Sequence, residues 1–369
     1  MADGKSWNAI MRKAEKLAIR LIVPLVLWPT WTHYQIRRFR DVYCPKFWEE
    51  RKRKALWRCI LELVALLVKW RCIPYHYFRH MLYSTDVTFK EVFQYLPESV
   101  FYYRVLPRWR LDACQLDDKI VFAAIAKASG LPVPETILVV RNGTIATGSG
   151  RMVADETQLD HVFAKVKAER VYLKPAMCGS GGRGILIFQR SGEHFYHGAN
   201  KLSLCVLQEL ASSDWIIQEE VEQTTQLERI FPGSINTFKV TTALQNNTPR
   251  IMRCVLRFGM GSCQIDNLHS GGLLVNVDTT TGQLSERAID ADLNEYSKHP
   301  DTGVVFGTEC FFIKPILDLA RRAAISFSCV PVAGWDIALS NTGPVLIEGN
   351  SSPDIGTVQR FGGVAMFIK

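Results

Sequence analysis

Val171-Tyr-Leu-Lys-Pro-Ala-Met-Cys-Gly-Ser-Gly-Gly-Arg-Gly-Ile-Leu-Ile-Phe188 is the stretch on which the fold turns. Gly179, Gly181 and Gly184 match G-x-G-x-x-G, the spacing of a dinucleotide-binding turn, but that turn has to open a helix. Here the glycines run into Ile185-Leu-Ile-Phe188, an apolar run of strand character. No Gly-Lys-Ser/Thr follows, so the loop of the P-loop NTPases is missing as well. The residues predict strand, glycine loop, strand. Backbone amides of such a hairpin can close over phosphates, and Lys174 in the first strand adds a point charge with reach to the same oxygens. Protein kinases use a similar hairpin, yet their His-Arg-Asp and Asp-Phe-Gly segments have no counterpart. An ordinary glycine hairpin fits the same residues, so the flanking segments decide.

Upstream, Asp118-Lys119 opens a helix-like stretch, Ile120 to Ser129, which stops at Gly130 before Leu131-Pro-Val-Pro134. Ile137-Leu-Val-Val140 then reads as a strand. Downstream, Trp215-Ile-Ile-Gln-Glu-Glu-Val221 is an apolar strand ending in acidic residues. It would offer backbone groups to an adenine edge and carboxylates to an amine or to ribose hydroxyls; an edge strand ending in Glu would look the same. Farther on, Gly334-Trp-Asp-Ile-Ala-Leu339 and Pro344-Val-Leu-Ile-Glu-Gly-Asn350 read as two strands joined at Ser340-Asn-Thr-Gly343. Asp336 lies on the first. Glu348 and Asn350 are two residues apart, so extended backbone sends both to one face. Oxygen ligands converging from neighbouring strands suit Mg²⁺. Glu348 follows Val-Leu-Ile, where a buried carboxylate without a partner would be costly.

Taken in order, Lys119, the Lys174 strand with its glycine loop, the Gln-Glu-Glu-Val hinge and the final Asp…Glu-x-Asn resemble the ATP-grasp superfamily, across roughly residues 85–369. Ser234-Ile-Asn-Thr-Phe-Lys-Val240, Arg257 and Asp266-Asn-Leu-His-Ser-Gly-Gly272 are similar to its sugar-transfer-associated branch, relatives of α-L-glutamate ligases. The resemblance implies an α+β ATP-grasp fold, two α+β lobes clasping ATP, with a first lobe at 112–225 and a metal-binding lobe at 226–369. It assigns Lys119, Lys174 and the loop residues Gly179, Ser180, Gly181, Gly182 and Gly184 to phosphates. Gln218, Glu219, Glu220 and Val221 would hold adenine and ribose, and Asp336, Glu348 and Asn350 one or two Mg²⁺ ions. Many members have Arg where Lys239 stands; a lysine lacks the bidentate fork, which makes Arg257 the stronger charge stabiliser.

The activity implied is a carboxylate–amine ligation through an acylphosphate on a sugar- or peptide-like precursor, from carboxylate and amine substrates, with positioning and charge neutralisation as the protein's share. That fits the lack of a recognisable Ser-His-Asp or Cys-His nucleophile signature. His269 would accept a proton from the amine, or else fix its own turn by a hydrogen bond. Ser270, Gly271 and Gly272 would form a backbone wall beside the acylphosphate. Two other readings use the same site: a phosphotransferase acting on a hydroxyl or carboxylate, and a non-catalytic ATP-binding scaffold.

The composition of the 369 residues, 47% hydrophobic and 22% charged, suits packed globular units and excludes disorder and collagen-like repeats. Charge is uneven: residues 1–110 carry 21 Lys/Arg against 9 Asp/Glu, a net +12, and the remainder 23 against 27, a net −4. Seven of nine Trp also fall in those first 110 residues. A basic helical region over 1–84 is expected, ahead of a catalytic region over 85–369. Leu21 to Ile36 is uncharged for 16 positions, short of the roughly 20 that span a bilayer, and Pro24 and Pro29 interrupt it. Ala55 to Trp70 reads as a helix with a wide apolar face beside Arg51-Lys-Arg-Lys54. It would rest on an anionic membrane surface or pack on the body behind a basic rim. No helix-turn-helix, finger or RNP pattern points to nucleic acid. The ten cysteines form no CxxC pair, and no cleavable leader is recognised; reduced thiols and a cytoplasmic location, either free or peripheral on the membrane's inner face, are the expectation.

Overall fold

The computed structural model describes residues 33, 35–177, 184–263, 265–268 and 271–368. The chain divides into two compact units, Met1–Arg110 with Asp354–Lys369, and Leu111–Pro353. The boundary expected at residue 84 falls inside the first. No helix among the described residues is long and apolar enough to cross a membrane, and all nine described cysteines are free. The Leu21–Ile36 run lies almost wholly outside the described residues.

The first unit is helical. Its longest element, α1 (Leu56–Trp70), ends at Arg71, which adopts the left-handed conformation. One side of α1 meets a cluster of Phe47, Cys59, Leu66, Tyr77, Leu82 and Tyr83. Its one acid, Glu62, is fully buried and takes two 3.0 Å hydrogen bonds from Lys54 and one of 2.7 Å from Tyr77. A buried carboxylate is tolerated because its charge and lone pairs are met. The chain returns to this unit at Asp354, where Gln359 accepts from the Leu96 amide (2.6 Å) and donates to the Leu96 carbonyl (2.8 Å).

The second unit holds two seven-stranded antiparallel sheets. The strands of the first are β1 (Thr136–Arg141), β2 (Thr144–Thr147), β3 (Arg170–Pro175), β4 (Leu186–Ser191), β5 (His194–His197), β6 (Asn200–Lys201) and β7 (Trp215–Glu219). Their order is β2-β1-β7-β3-β4-β5-β6. Asn142-Gly143 turns β1 into β2 with positive φ at both positions (50° and 75°), as a two-residue hairpin loop demands. β3 and β4 pair antiparallel, so the glycine segment does join two strands. β7 lies between β1 and β3, inside the sheet rather than at its edge. Apolar β1, β3 and β7 residues, including Leu138, Val171, Leu173 and Ile217, pack with Phe163 of α3 (Glu156–Phe163), α2 being Lys119–Ala128.

The second sheet runs β12-β11-β10-β9-β8-β13-β14. Its members are β8 (Thr237–Gln245), β9 (Thr248–Phe258), β10 (Leu273–Val277), β11 (Leu284–Ile289), β12 (Glu295–Tyr296), β13 (Val332–Ser340) and β14 (Gly343–Asn350). α4 (Lys314–Ser326) packs on β8, β9, β13 and β14 through Ile316, Leu319, Ala320 and Ala323.

Candidate active site

Strand register builds the site. Asp336 on β13 stands opposite Lys239 on β8 and opposite Glu348 on β14. The ladder slips between Asp336 and Ile337, a bulge that re-aims the end of β14. Between Glu348 and Asn350, a Cβ on Gly349 would stand 2.7 Å from Leu116 and 3.0 Å from Trp335. Only glycine therefore lets the strand lie down there with both polar neighbours in place. Asp118 caps α2, accepting from the Ile120 and Val121 amides (2.9 and 3.2 Å), and the Lys119 amide donates to the Ala176 carbonyl just past β3 (2.9 Å). This brings Lys119 to the Lys174 strand.

A cavity of about 130 Å³ is lined by Lys119, Lys174, Glu219, Val221, Arg257, Asp336 and Glu348, seven of the residues named from sequence. Tyr172, Thr237, Asp266 and Asn267 share the lining. Lys239 Nζ donates to Asp336 Oδ1 and Arg257 Nη2 to Asp336 Oδ2, each at 2.8 Å. Thr237 Oγ1 accepts from Arg257 (2.7 Å) and donates to Asp266 Oδ2 (2.5 Å). Arg257 is thus clamped between two carboxylates and a hydroxyl, which fixes the plane of its guanidinium. Thr237 and Asp266 carried no assigned role in the sequence reading. The signal for them was their place in the two segments around Lys239 and His269.

Burial pushes both carboxyls of the pair upward, and the surroundings then separate them. For Asp336, Arg257 and Lys239 outweigh burial and hold the acid well below the ordinary range. Glu348 stays raised, through burial and through the charge of Asp336 beside it, against Lys119 and Lys239. Burial pulls Lys174 down to about 8, with Glu348 opposing and Lys119 assisting the drop. Lys174 Nζ donates to Gln218 Oε1 at 3.1 Å.

Not every named residue joins the cavity. Glu220 is held by Arg170 through contacts of 2.5 and 3.0 Å. Gln218 is buried behind Lys174. Gly184 (φ +78°) and Gly271 (φ +94°) sit in turns, and Gly272 packs against the Phe258, Asp266 and Asn267 carbonyls. Gly179, Ser180, Gly181, Gly182, His269 and Ser270 lie outside the described residues. Asn350 has a buried amide nitrogen without a hydrogen-bond partner. No cluster of three or more His, Cys, Asp or Glu suited to a metal occurs among the described residues. The oxygen set is two carboxylates, opposite one another on paired strands, plus an amide. Two like charges brought together, one buried and one half-buried, with only oxygen donors, fit a hard divalent cation.

Solved structures similar to the chain include D-alanyl-alanine synthetase A from Vibrio cholerae (12% identity, 67% of this chain and 59% of that one, TM-score 0.37). D-alanine–D-alanine ligase from Bacillus anthracis (12%, 69% and 61%, 0.37) and phosphoribosylamine–glycine ligase from Thermotoga maritima (11%, 67% and 51%, 0.38) are others. The chain spans 45% to 59% of the length of the first solved structures it matches. No curated protein matches it. The family model for sugar-transfer associated ATP-grasp proteins matches residues 101–367. The two-sheet α+β body is accordingly an ATP-grasp fold, and the chain belongs to the sugar-transfer associated ATP-grasp family.

Proposed function

We propose that the chain is an ATP-dependent carboxylate–amine ligase acting on a sugar- or peptide-like precursor of a surface polymer or secondary metabolite. The observation that carries this reading is the cavity where Lys119, Lys174 and Arg257 share one lining with Asp336 and Glu348. Three cations and two carboxylates in so small a space match a phosphoryl group in transfer better than a structural ion-pair network, because Glu348 and Lys174 are both held away from their ordinary titration ranges.

In this reading Lys119, Lys174 and the 179–184 loop hold the phosphates of ATP. Glu219 and Val221, with Gln218 and Glu220 behind them, take adenine and ribose. A substrate carboxylate oxygen attacks the γ-phosphorus, the bond to the bridging oxygen breaks, and ADP leaves. The amine then attacks the acyl carbon, phosphate departs, and His269 takes the amine's proton. Arg257, fixed by Thr237, Asp266 and Asp336, and Lys239 neutralise charge on the transferred group without having to reorganise. Ser270, Gly271 and Gly272 wall the acyl side. Asp336, Glu348 and Asn350 would hold Mg²⁺, which neutralises phosphate oxygens when bound.

ATP turnover with Mg²⁺ across a panel of carboxylates and amines tests the proposal, with nucleotide, free phosphate and product mass read together. ADP plus phosphate appearing only when acid and amine are both present supports a ligase. ADP with a stable phosphorylated product and no amine requirement makes the chain a phosphotransferase. Absence of turnover with intact ATP binding makes it a scaffold.

A further inference from the structure

The α1 helix has more apolar surface than its own unit covers. Cys59, Glu62 and Leu66 face inward and are buried. Trp57, Ile60, Leu61, Val64, Leu67 and Val68 are exposed, Trp57 and Val68 by 70% and 71%. At about 100° per residue these six occupy one arc of about 120°, turned away from the buried side. A run of this size left in water is not the scatter of single apolar residues that surfaces normally show. The acid of the helix, Glu62, is spent internally on Lys54 and Tyr77, so the exposed arc carries no negative charge. Arg58 and Lys69 lie beyond one edge of the arc.

Next to the arc opens an apolar cavity of about 1220 Å³, with Val64 and Leu67 on both surfaces. Arg71, Arg104 and Arg108 are in its lining, and no acidic side chain is. Trp48, 61% exposed, lies under the Arg53 guanidinium at 4.7 Å. The whole unit has 23 Lys/Arg against 10 Asp/Glu, a net +13. Apolar helix face, exposed Trp and a large excess of cations over acids together are complementary to one kind of surface, an apolar layer capped by anionic groups. A second copy of this unit would bring +13 against +13.

We propose that α1 docks the protein on anionic lipid bilayers, lying in the plane of the interface with Trp57, Ile60, Val64 and Val68 inserted and Arg51, Lys52, Arg71 and Arg104 among the headgroups. The inference is independent of the ligase reading. It says where the protein works, and either can fail alone.

Flotation of the full chain with vesicles tests it, using phosphatidylcholine alone and phosphatidylcholine mixed with phosphatidylglycerol. The protein should rise only with the anionic vesicles, and rising salt should weaken the interaction. Val64→Glu with Val68→Glu should lower vesicle affinity at least about tenfold, from two added charges and two lost anchors. Both positions are exposed, so near-ultraviolet circular dichroism should not change. Trp57→Ser, which adds no charge, should also weaken binding. Equal flotation with neutral vesicles, none with either kind, or wild-type flotation of both variants overturns the proposal. So does a wild-type dimer in size-exclusion chromatography that the double variant abolishes, since a second copy would then be what covers the face.

Discussion

Glu348→Gln separates the structural cost of the site from its use. Glu348 and Asp336 stand opposite one another on paired strands, Asp336 buried and Glu348 half-buried, and Asp336 is ionised. Two unit charges about 4 Å apart at an effective dielectric near 20 repel by about 4 kcal/mol. Lys119 and Lys239 oppose that repulsion at Glu348, leaving a net penalty of about 1–3 kcal/mol after the offset. Glutamine keeps the shape and removes the charge, so the variant should be more stable than the wild type in metal-free buffer. The second unit, residues 111–353, has 243 residues; at about 2–4 °C per kcal/mol for a domain of this size, its melting temperature should rise by roughly 2–12 °C. The sign with pH follows from the raised acid. The wild type is at full strength below the ordinary carboxylate pKa and loses stability as pH rises through the elevated value, so the gap should be larger at pH 8 than at pH 5. Thermal melts in EDTA at both pH values measure this, beside ATP turnover with Mg²⁺. Turnover should fall at least about a hundredfold, since a phosphate-neutralising position is worth several kcal/mol. A variant that melts at or below the wild-type temperature at pH 8, or that keeps wild-type turnover, refutes the reasoning.

Burial pulls Lys174, proposed above as a phosphate ligand, down to about 8. Nucleotide affinity, measured by calorimetry, should therefore be flat below that pH and weaken by up to about tenfold per unit above it, as a proton has to be taken up on binding. His76 is buried, has no hydrogen-bond partner on either ring nitrogen and is pulled down to about 3 by burial. The unfolded chain protonates this histidine near 6.5 and the folded one does not, so stability should drop by about 1.4 kcal/mol per unit as pH falls below 6.5. His76→Asn should flatten that slope in urea titrations. Gly272→Ala would force a methyl to within 2.7–2.9 Å of three carbonyl oxygens, two of them at Asp266 and Asn267. It should cost about 1–3 kcal/mol and displace the clamp on Arg257, so turnover should fall with it.

The elements of the second unit were legible because each carries a local signal. Asp118 ahead of an apolar run marks a helix start, and β-branched runs between Gly and Pro mark strands. The cavity set was legible for a related reason: Lys119, Lys174, Glu219, Asp336 and Glu348 stand at fixed offsets from glycines and apolar runs that force their strands. What stayed hidden is pairing across distance. Nothing near Lys239 in the sequence says that Asp336 will be its partner 97 positions on, or that Arg257 will reach the same carboxylate over 79. The interior place of β7 was hidden too, because strand order is decided by sheet assembly and not by the residues of one strand. The pull of Arg170 on Glu220 belongs to the same class: it acts across 50 residues. In the first unit the apolar run of α1 was plain, but its exposed side could not be told from its buried side until Glu62 was seen to point inward.

The return of Asp354–Lys369 to the first unit has a consequence for synthesis. Arg79, whose charge meets Glu98 and Asp354, is made 275 residues ahead of Asp354, and the Leu96 backbone, which bonds Gln359, 263 residues ahead of that partner. At about 5–20 residues per second, those positions wait about 13–55 s for their last partners, long after the helices around them can form. During that interval the exposed α1 face and an incomplete core coexist on one nascent chain. A ribosome stalled before residue 354 should carry a first unit that binds chaperone or lipid more avidly than the finished protein does, and release of the last segment should act as the latch.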